Sequence, residues 1–139
     1  MPAKYTVFPH TADIGLRVQS RTLKGLFTVS AQGMSSILFD TQKIRPLKKV
    51  KLTVRSDSAE SLLVDWLQEI LYHITVKHLA LAKFRVESLS GTTLKGCAYG
   101  EPLSPSGPRL LKEIKAVTYH NLKVKKSRGL YRVALILDI

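Results

Sequence analysis

The sequence predicts an α+β fold, with two helices packed on mainly antiparallel sheet. Two separate segments repeat apolar residues at helical spacing, whereas most of the remaining chain alternates apolar and polar residues with the two-residue period of strands. The elements follow one another as strand, helix, strand, helix and then a run of strands. The 139 residues, 45% of them apolar, make a single domain (residues 1–139). A chain of this length buries roughly 70% of the surface exposed when it is unfolded.

A first strand is read in YTVF, and Ile14, Leu16 and Val18 alternate in the stretch that follows. Between them lies HTADIGL (residues 10–16), which sets a histidine, a threonine and an aspartate where a strand should begin, in a chain with only 10 acidic residues. Thr22 opens a segment whose Leu23, Leu26, Phe27, Met34, Ile37 and Leu38 make one helical face. Gly25 and Gly33 each weaken such a helix by roughly 1 kcal/mol relative to alanine, so packing must hold it. Pro46 closes a connector, and Val50, Leu52 and Val54 alternate as a half-buried strand.

Asp57, with Glu60 three residues on, is the expected N-cap of the second helix. That helix turns Leu62, Leu63, Trp66, Leu67, Ile70, Leu71 and Ile74 to one side, with Trp66 as its core anchor. KFRVES, TLKGCAY, EIKAVTY, LKV and YRVALILDI read as further strands, and PLSPSGPR as a turn or mobile loop. In the last strand Val133, Leu135 and Leu137 share one face and Ala134 and Ile136 the other. Both faces are apolar, which predicts a central strand.

Asp138 ends that strand, next to the carboxylate of Ile139, and an acid so placed needs a partner. If the first and last strands are neighbours, Asp13, Asp138 and Ile139 supply several hard oxygens of the kind that calcium and magnesium select. The competing reading has Asp13 capping a turn and Asp138 pairing with a lysine. Other chemistries find less support. His10, His73, His78 and His120 show no zinc spacing, with His73 and His78 at the end of the second helix, and neither a phosphate-binding loop nor a GxSxG nucleophile motif occurs. The lone Cys97 fits a packed thiol in a reducing compartment. No apolar run reaches membrane-spanning length and the start lacks the features of a signal peptide, so a soluble, cytoplasmic protein without a membrane partner is expected.

The net charge of +12 is concentrated in KIRPLKKVK (Lys43–Lys51) and KVKKSR (Lys123–Arg128). Charge of this size attracts polyanions, RNA first among them, although solvated strand faces account for it equally well. Neither run interleaves the aromatics of a base-stacking platform.

HTADIGLRV, the LLVDWLQEILY helix, Gly100-Glu101, EIKAVTYHNLKV and the closing VALILDI, in this order and over nearly the whole chain, resemble the archease family. The resemblance implies a protein cofactor, not itself an enzyme, that activates an RtcB-type RNA ligase in tRNA splicing and RNA repair. Such a partner promotes ligase guanylylation and multiple turnover, and can broaden nucleotide use. It further implies a divalent metal ion held by Asp13, Asp138 and Ile139, calcium in crystals and magnesium or manganese in use. His10, Glu101, Lys115, Thr118 and His120 lie in or beside the matching motifs and are further candidates. Lys24 and Gly25 depart from the acidic, alanine-rich first helix common in the family, and the basic surface is unusual for it. That surface suits contact with tRNA or other RNA, or with an acidic patch of the ligase. The alternative function is a basic RNA-binding or chaperone-like module without essential metal; a metal-dependent hydrolase would need a nucleophile-activating residue that is not evident.

Overall fold

The computed structural model describes residues 3–10 and 13–139. Strands β1 (Lys4–His10) and β2 (Asp13–Ser20) precede helix α1 (Leu23–Leu38). After a 3-10 turn at Thr41–Lys43 come β3 (Lys48–Arg55), α2 (Ala59–Thr75), β4 (Leu79–Leu89) and β5 (Thr93–Pro102). The chain closes with β6 (Ala116–Thr118), β7 (Lys125–Ser127) and β8 (Leu130–Asp138). The expected antiparallel sheet is present and divides into two. One has the order β1-β2-β8-β6 with β7 also pairing β8, and the other the order β3-β5-β4. All of these pairings are antiparallel. The segment β3–α2–β4–β5 is a strand–helix–strand–strand unit whose three strands make the second sheet by themselves.

The helices join the two sheets. Helix α1 packs against β1, β2 and β8 of the first and against β4 of the second, while α2 packs against β3, β4 and β5 and reaches β6. Every apolar residue expected on the α2 face is buried, and the Trp66 indole N–H donates to the Phe27 carbonyl of α1 at 3.0 Å. Gly33 shows how packing offsets weak helix propensity. A Cβ there would lie 2.8 Å from a Leu16 methyl, so the missing side chain lets α1 settle onto β2. Thr22 caps α1, its hydroxyl accepting the Gly25 N–H at 2.9 Å.

Three local expectations are corrected. Ser58, not Asp57, caps α2: its backbone is extended and its hydroxyl accepts the Ser61 N–H at 3.0 Å, leaving Asp57 one residue too early and exposed. Glu60 does not reach back to the cap but accepts the Val124 N–H at 2.8 Å, tying the chain before β7 to the start of α2. EIKAVTY and LKV shorten accordingly. Only Ala116–Thr118 pairs in the first, and the second is an irregular stretch after a turn at His120–Asn121; its half-buried Leu122 and Val124 pack on the core, and the strand begins at Lys125. The 102–109 segment is a turn, with the Gly107 N–H donating to the Ser104 carbonyl. β7 and β8 join through Arg128 and Gly129, both at positive φ, as a tight two-residue hairpin requires.

The cap assignment is testable by urea denaturation. Ser58→Ala should lower stability by about 1 kcal/mol, whereas Asp57→Ala should stay within about 0.5 kcal/mol of the parent.

Candidate metal centre

The first and last long strands are neighbours, and Asp13 stands directly opposite Asp138 in the β2–β8 register. Burial sets that register. Leu16 pairs with Leu135 and Val18 with Val133, all within the core, and a one-residue slip would turn each of them to the other side. The two-residue period then puts Asp13, Gly15, Arg17 and Gln19 of β2 on the face away from the helices. Asp138, Ile136, Ala134 and Arg132 of β8 share it, as do Phe8, Thr6 and Lys4 of β1. β8 is central, between β2 and β6 with β7, as its apolar pattern predicts. Its second face, however, is only partly covered: Ile136 is buried but Ala134 is exposed.

Gly15 in the HTADIGL motif now has a reason. A Cβ at this position would collide with the Phe8 ring, which lies across it from β1. Beyond Asp138 the chain is held on its other side by β6. Ala116 pairs with Asp138, and the Lys115 N–H donates to the Asp138 carbonyl at 2.7 Å. Thr118 pairs with Ile136; its hydroxyl donates to the Ile136 carbonyl at 3.0 Å and accepts the His120 N–H at 3.3 Å. The first two bonds hold the β8 backbone at Asp138 and Ile136 from the β6 side.

Directly opposed side chains on one sheet face have Cβ atoms about 4.5–5.5 Å apart, so two carboxylates there repel and favour a shared cation. Among the described residues no three His, Cys, Asp or Glu side chains gather around one point. The described groups that could hold an ion here are the Asp13 and Asp138 carboxylates with main-chain oxygen at Ile139, completed by water. Such a set suits magnesium, which keeps several waters, and leaves calcium dependent on more of them.

The other candidates fall in different places. His10 pairs with Asp13 along the β1–β2 ladder, and its side chain, with Thr11 and Ala12, lies outside the described residues. Lys115 and His120 are exposed, whereas Thr118 is half-buried. Glu101 is not in the row of Asp13 and Asp138; it belongs to β5 of the second sheet, buried at 5% exposure. There it accepts the Arg45 N–H at 2.7 Å and the Arg45 guanidinium at 3.2 Å. These bonds, the backbone one foremost, hold its carboxyl below the ordinary value of 4.5. Sequence reasoning missed Arg45 as its partner, because the two are brought together only by the connector after α1. His73 stands in the last turn of α2, 3.6 Å from Glu69, and Cys97 is buried with its thiol 3.3 Å from the Tyr99 hydroxyl.

Two helices shared between two antiparallel sheets define a class of small α+β protein. The profile of the Archease protein family (MTH1598/TM1083) matches residues 5–139, and the chain belongs to that family. The protein archease of Methanosarcina acetivorans is 36% identical over 140 residues, covering 98% of this chain and 96% of that one. The solution structure of Methanobacterium thermoautotrophicum protein 1598 superposes with a TM-score of 0.81 at 30% identity, covering 97% of this chain and 98% of the other. The crystal structure of a Thermotoga maritima archease, a possible chaperone, shares the fold with a TM-score of 0.61 at 21% identity, over 95% and 94% of the two chains. Among the described residues no helix is long and apolar enough to cross a membrane.

The Glu101–Arg45 tie predicts a pH signature. A carboxyl whose folded value is lowered contributes stability above about pH 4.5, and that contribution is lost as pH falls through the lowered value. Glu101→Gln should therefore be less stable than the parent at pH 7, with the gap closing in denaturant titrations as pH falls from 4.5 through the lowered value. A gap independent of pH would show that the carboxylate charge is not what holds Arg45.

Proposed function

We propose that this chain is the protein cofactor of an RtcB-type RNA ligase, promoting ligase guanylylation and multiple turnover in tRNA splicing or RNA repair. The observation that supports the reading is the opposition of Asp13 and Asp138 in the β2–β8 register, at the strand ends. A divalent ion bound there would supply the positive charge that a nucleotide triphosphate needs during transfer to the ligase. The chain's own contribution is positional. Asp13 and Asp138 present oxygens from adjacent strands, with the main chain of Ile139 beside them. Hydrogen bonds from Lys115 and Thr118 keep β8 from shifting beneath them. The cytoplasm, where tRNA and the ligase would meet this chain, is the compartment that goes with this role. Contact of the basic surface with RNA belongs to the same reading.

A second reading, a basic RNA-binding or chaperone-like module without essential metal, is favoured by the charge of +12. The two separate in one experiment. Asp13→Asn and Asp138→Asn, checked for folding by thermal unfolding, are added to the cognate ligase and its guanylylation is followed with magnesium, manganese or calcium. The cofactor reading expects stimulation to fall at least about tenfold in each variant, a change of about 1.4 kcal/mol in the affected step. It also expects loss of calorimetric binding of the same ions. Full stimulation by a folded double variant would reject the metal-centred account and leave the second reading standing.

A further inference from the structure

The open face of the five-stranded sheet carries a second arrangement at the end remote from Asp13. A trough of about 740 Å³ runs over β1, β2 and β8 and is walled by residues 121–123 and 125. Five of its lining side chains are cations, Lys4, Arg17, Lys123, Lys125 and Arg132, and no acid lines it among the described residues. The register assembles them: Lys4 stands opposite Gln19, Gln19 opposite Arg132 and Arg132 opposite Lys125. Three cations thus share one row across four strands. Like charges side by side on a sheet repel, so the row is not explained by stability.

Two details point to an anionic occupant. The Arg17 guanidinium lies 3.9 Å over the Phe8 ring. Stacking of this kind holds the group flat while its in-plane N–H donors stay available to a phosphate. Gln19, lining the same trough, has a side-chain nitrogen that is buried with no hydrogen-bond partner among the described residues. A buried donor left unmatched is costly, and a turn of the amide into the trough would let an anionic oxygen satisfy it.

We infer that this trough binds the phosphodiester backbone of single-stranded RNA without reading its sequence. Its cations are spread along rows rather than converging on one point, which matches a chain of phosphates better than one phosphate group. Phe8 is covered by Arg17, so it offers no face on which a base can stack, and recognition falls to the backbone. Residues 121–123 and 125 wall the trough beside the sheet. Glu60, through its bond to the Val124 N–H, holds that wall in place. The inference extends the reading above by naming an RNA-contacting surface, but its test uses no ligase, so either can fail alone.

The probe is a fluorescein-labelled oligouridylate of about a dozen nucleotides, followed by anisotropy from roughly 50 to 300 mM KCl. Up to five neutralised phosphates at about 0.7 each predict a log–log salt slope as steep as about −3.5. The double variant Lys125→Gln/Arg132→Gln should weaken binding about tenfold or more and flatten the slope by about 1.4. Lys48→Gln/Lys51→Gln, the same charge change on β3 of the other sheet, should stay within about twofold. Gln19→Met should weaken binding while leaving the melting temperature equal or higher, because it removes the unmatched donor. The inference is overturned by absence of binding at the lowest salt or by equal loss in the β3 variant. Displacement of the RNA by an oligoglutamate peptide of equal affinity would overturn it too, by assigning the trough to an acidic protein.

Discussion

The antiparallel pairing of β2 with β8 is the constraint on which the rest of this structure depends. Its register follows from burying Leu16 and Val18 against α1 together with Val133, Leu135 and Leu137. Once those residues face inward, alternation leaves no choice about what faces outward. Asp13 must meet Asp138, Arg17 must meet Ala134, and Gln19 must meet Arg132. The polar chemistry of the open face is therefore a consequence of apolar packing on the other. That is a durable way to position charge, since moving it would require turning core residues to solvent.

The flanking elements convert this register into a shaped surface. On one side β1 lays Phe8 over Gly15 and stacks Arg17 on the ring. On the other, the chain leaving β6 is tied down in sequence. The Lys115 N–H bonds Asp138, the Thr118 hydroxyl bonds Ile136, and Val124 is held by Glu60 of α2. The motif EIKAVTYHNLKV is thus a strap running from the acidic end of β8 toward the basic end. Its strand content is small because its hydrogen bonds are spent on this path.

Much of this was legible in the sequence, for physical reasons that differ by element. Helix α2 showed itself through seven apolar residues at helical spacing, because it buries one face on a sheet and exposes the other. The central position of β8 followed from its two apolar faces. Asp13 and Asp138 could be named as partners, but only on the assumption that the chain's two ends meet. Adjacency of strands far apart in sequence is a tertiary fact that no local pattern encodes. The same limit hid the Arg45–Glu101 tie and the Glu60–Val124 bond. Asp57 was read as a cap because Ser58 and Asp57 are both good caps, and the choice between them rests on where the first turn closes. The row Lys4, Gln19, Arg132, Lys125 was invisible because its members come from four strands, while the eye is drawn to contiguous basic runs.

One face carrying both an acidic pair and a cationic row raises the question of why neither cancels the other. The separation runs along the strands. Arg17 is four residues from Asp13 on β2, about 13 Å at roughly 3.3 Å per residue, and the row at Gln19 is about 20 Å away. At physiological ionic strength exposed charges are largely screened beyond about 8 Å. Asp13 and Asp138 are therefore screened from that row, although the chain as a whole carries +12. Had the cations been placed across the sheet beside the acids, at neighbouring-strand spacing of about 4.8 Å, they would have neutralised the pair directly. Segregation along β2 and β8 is what keeps the acidic pair and the cationic row apart on one surface.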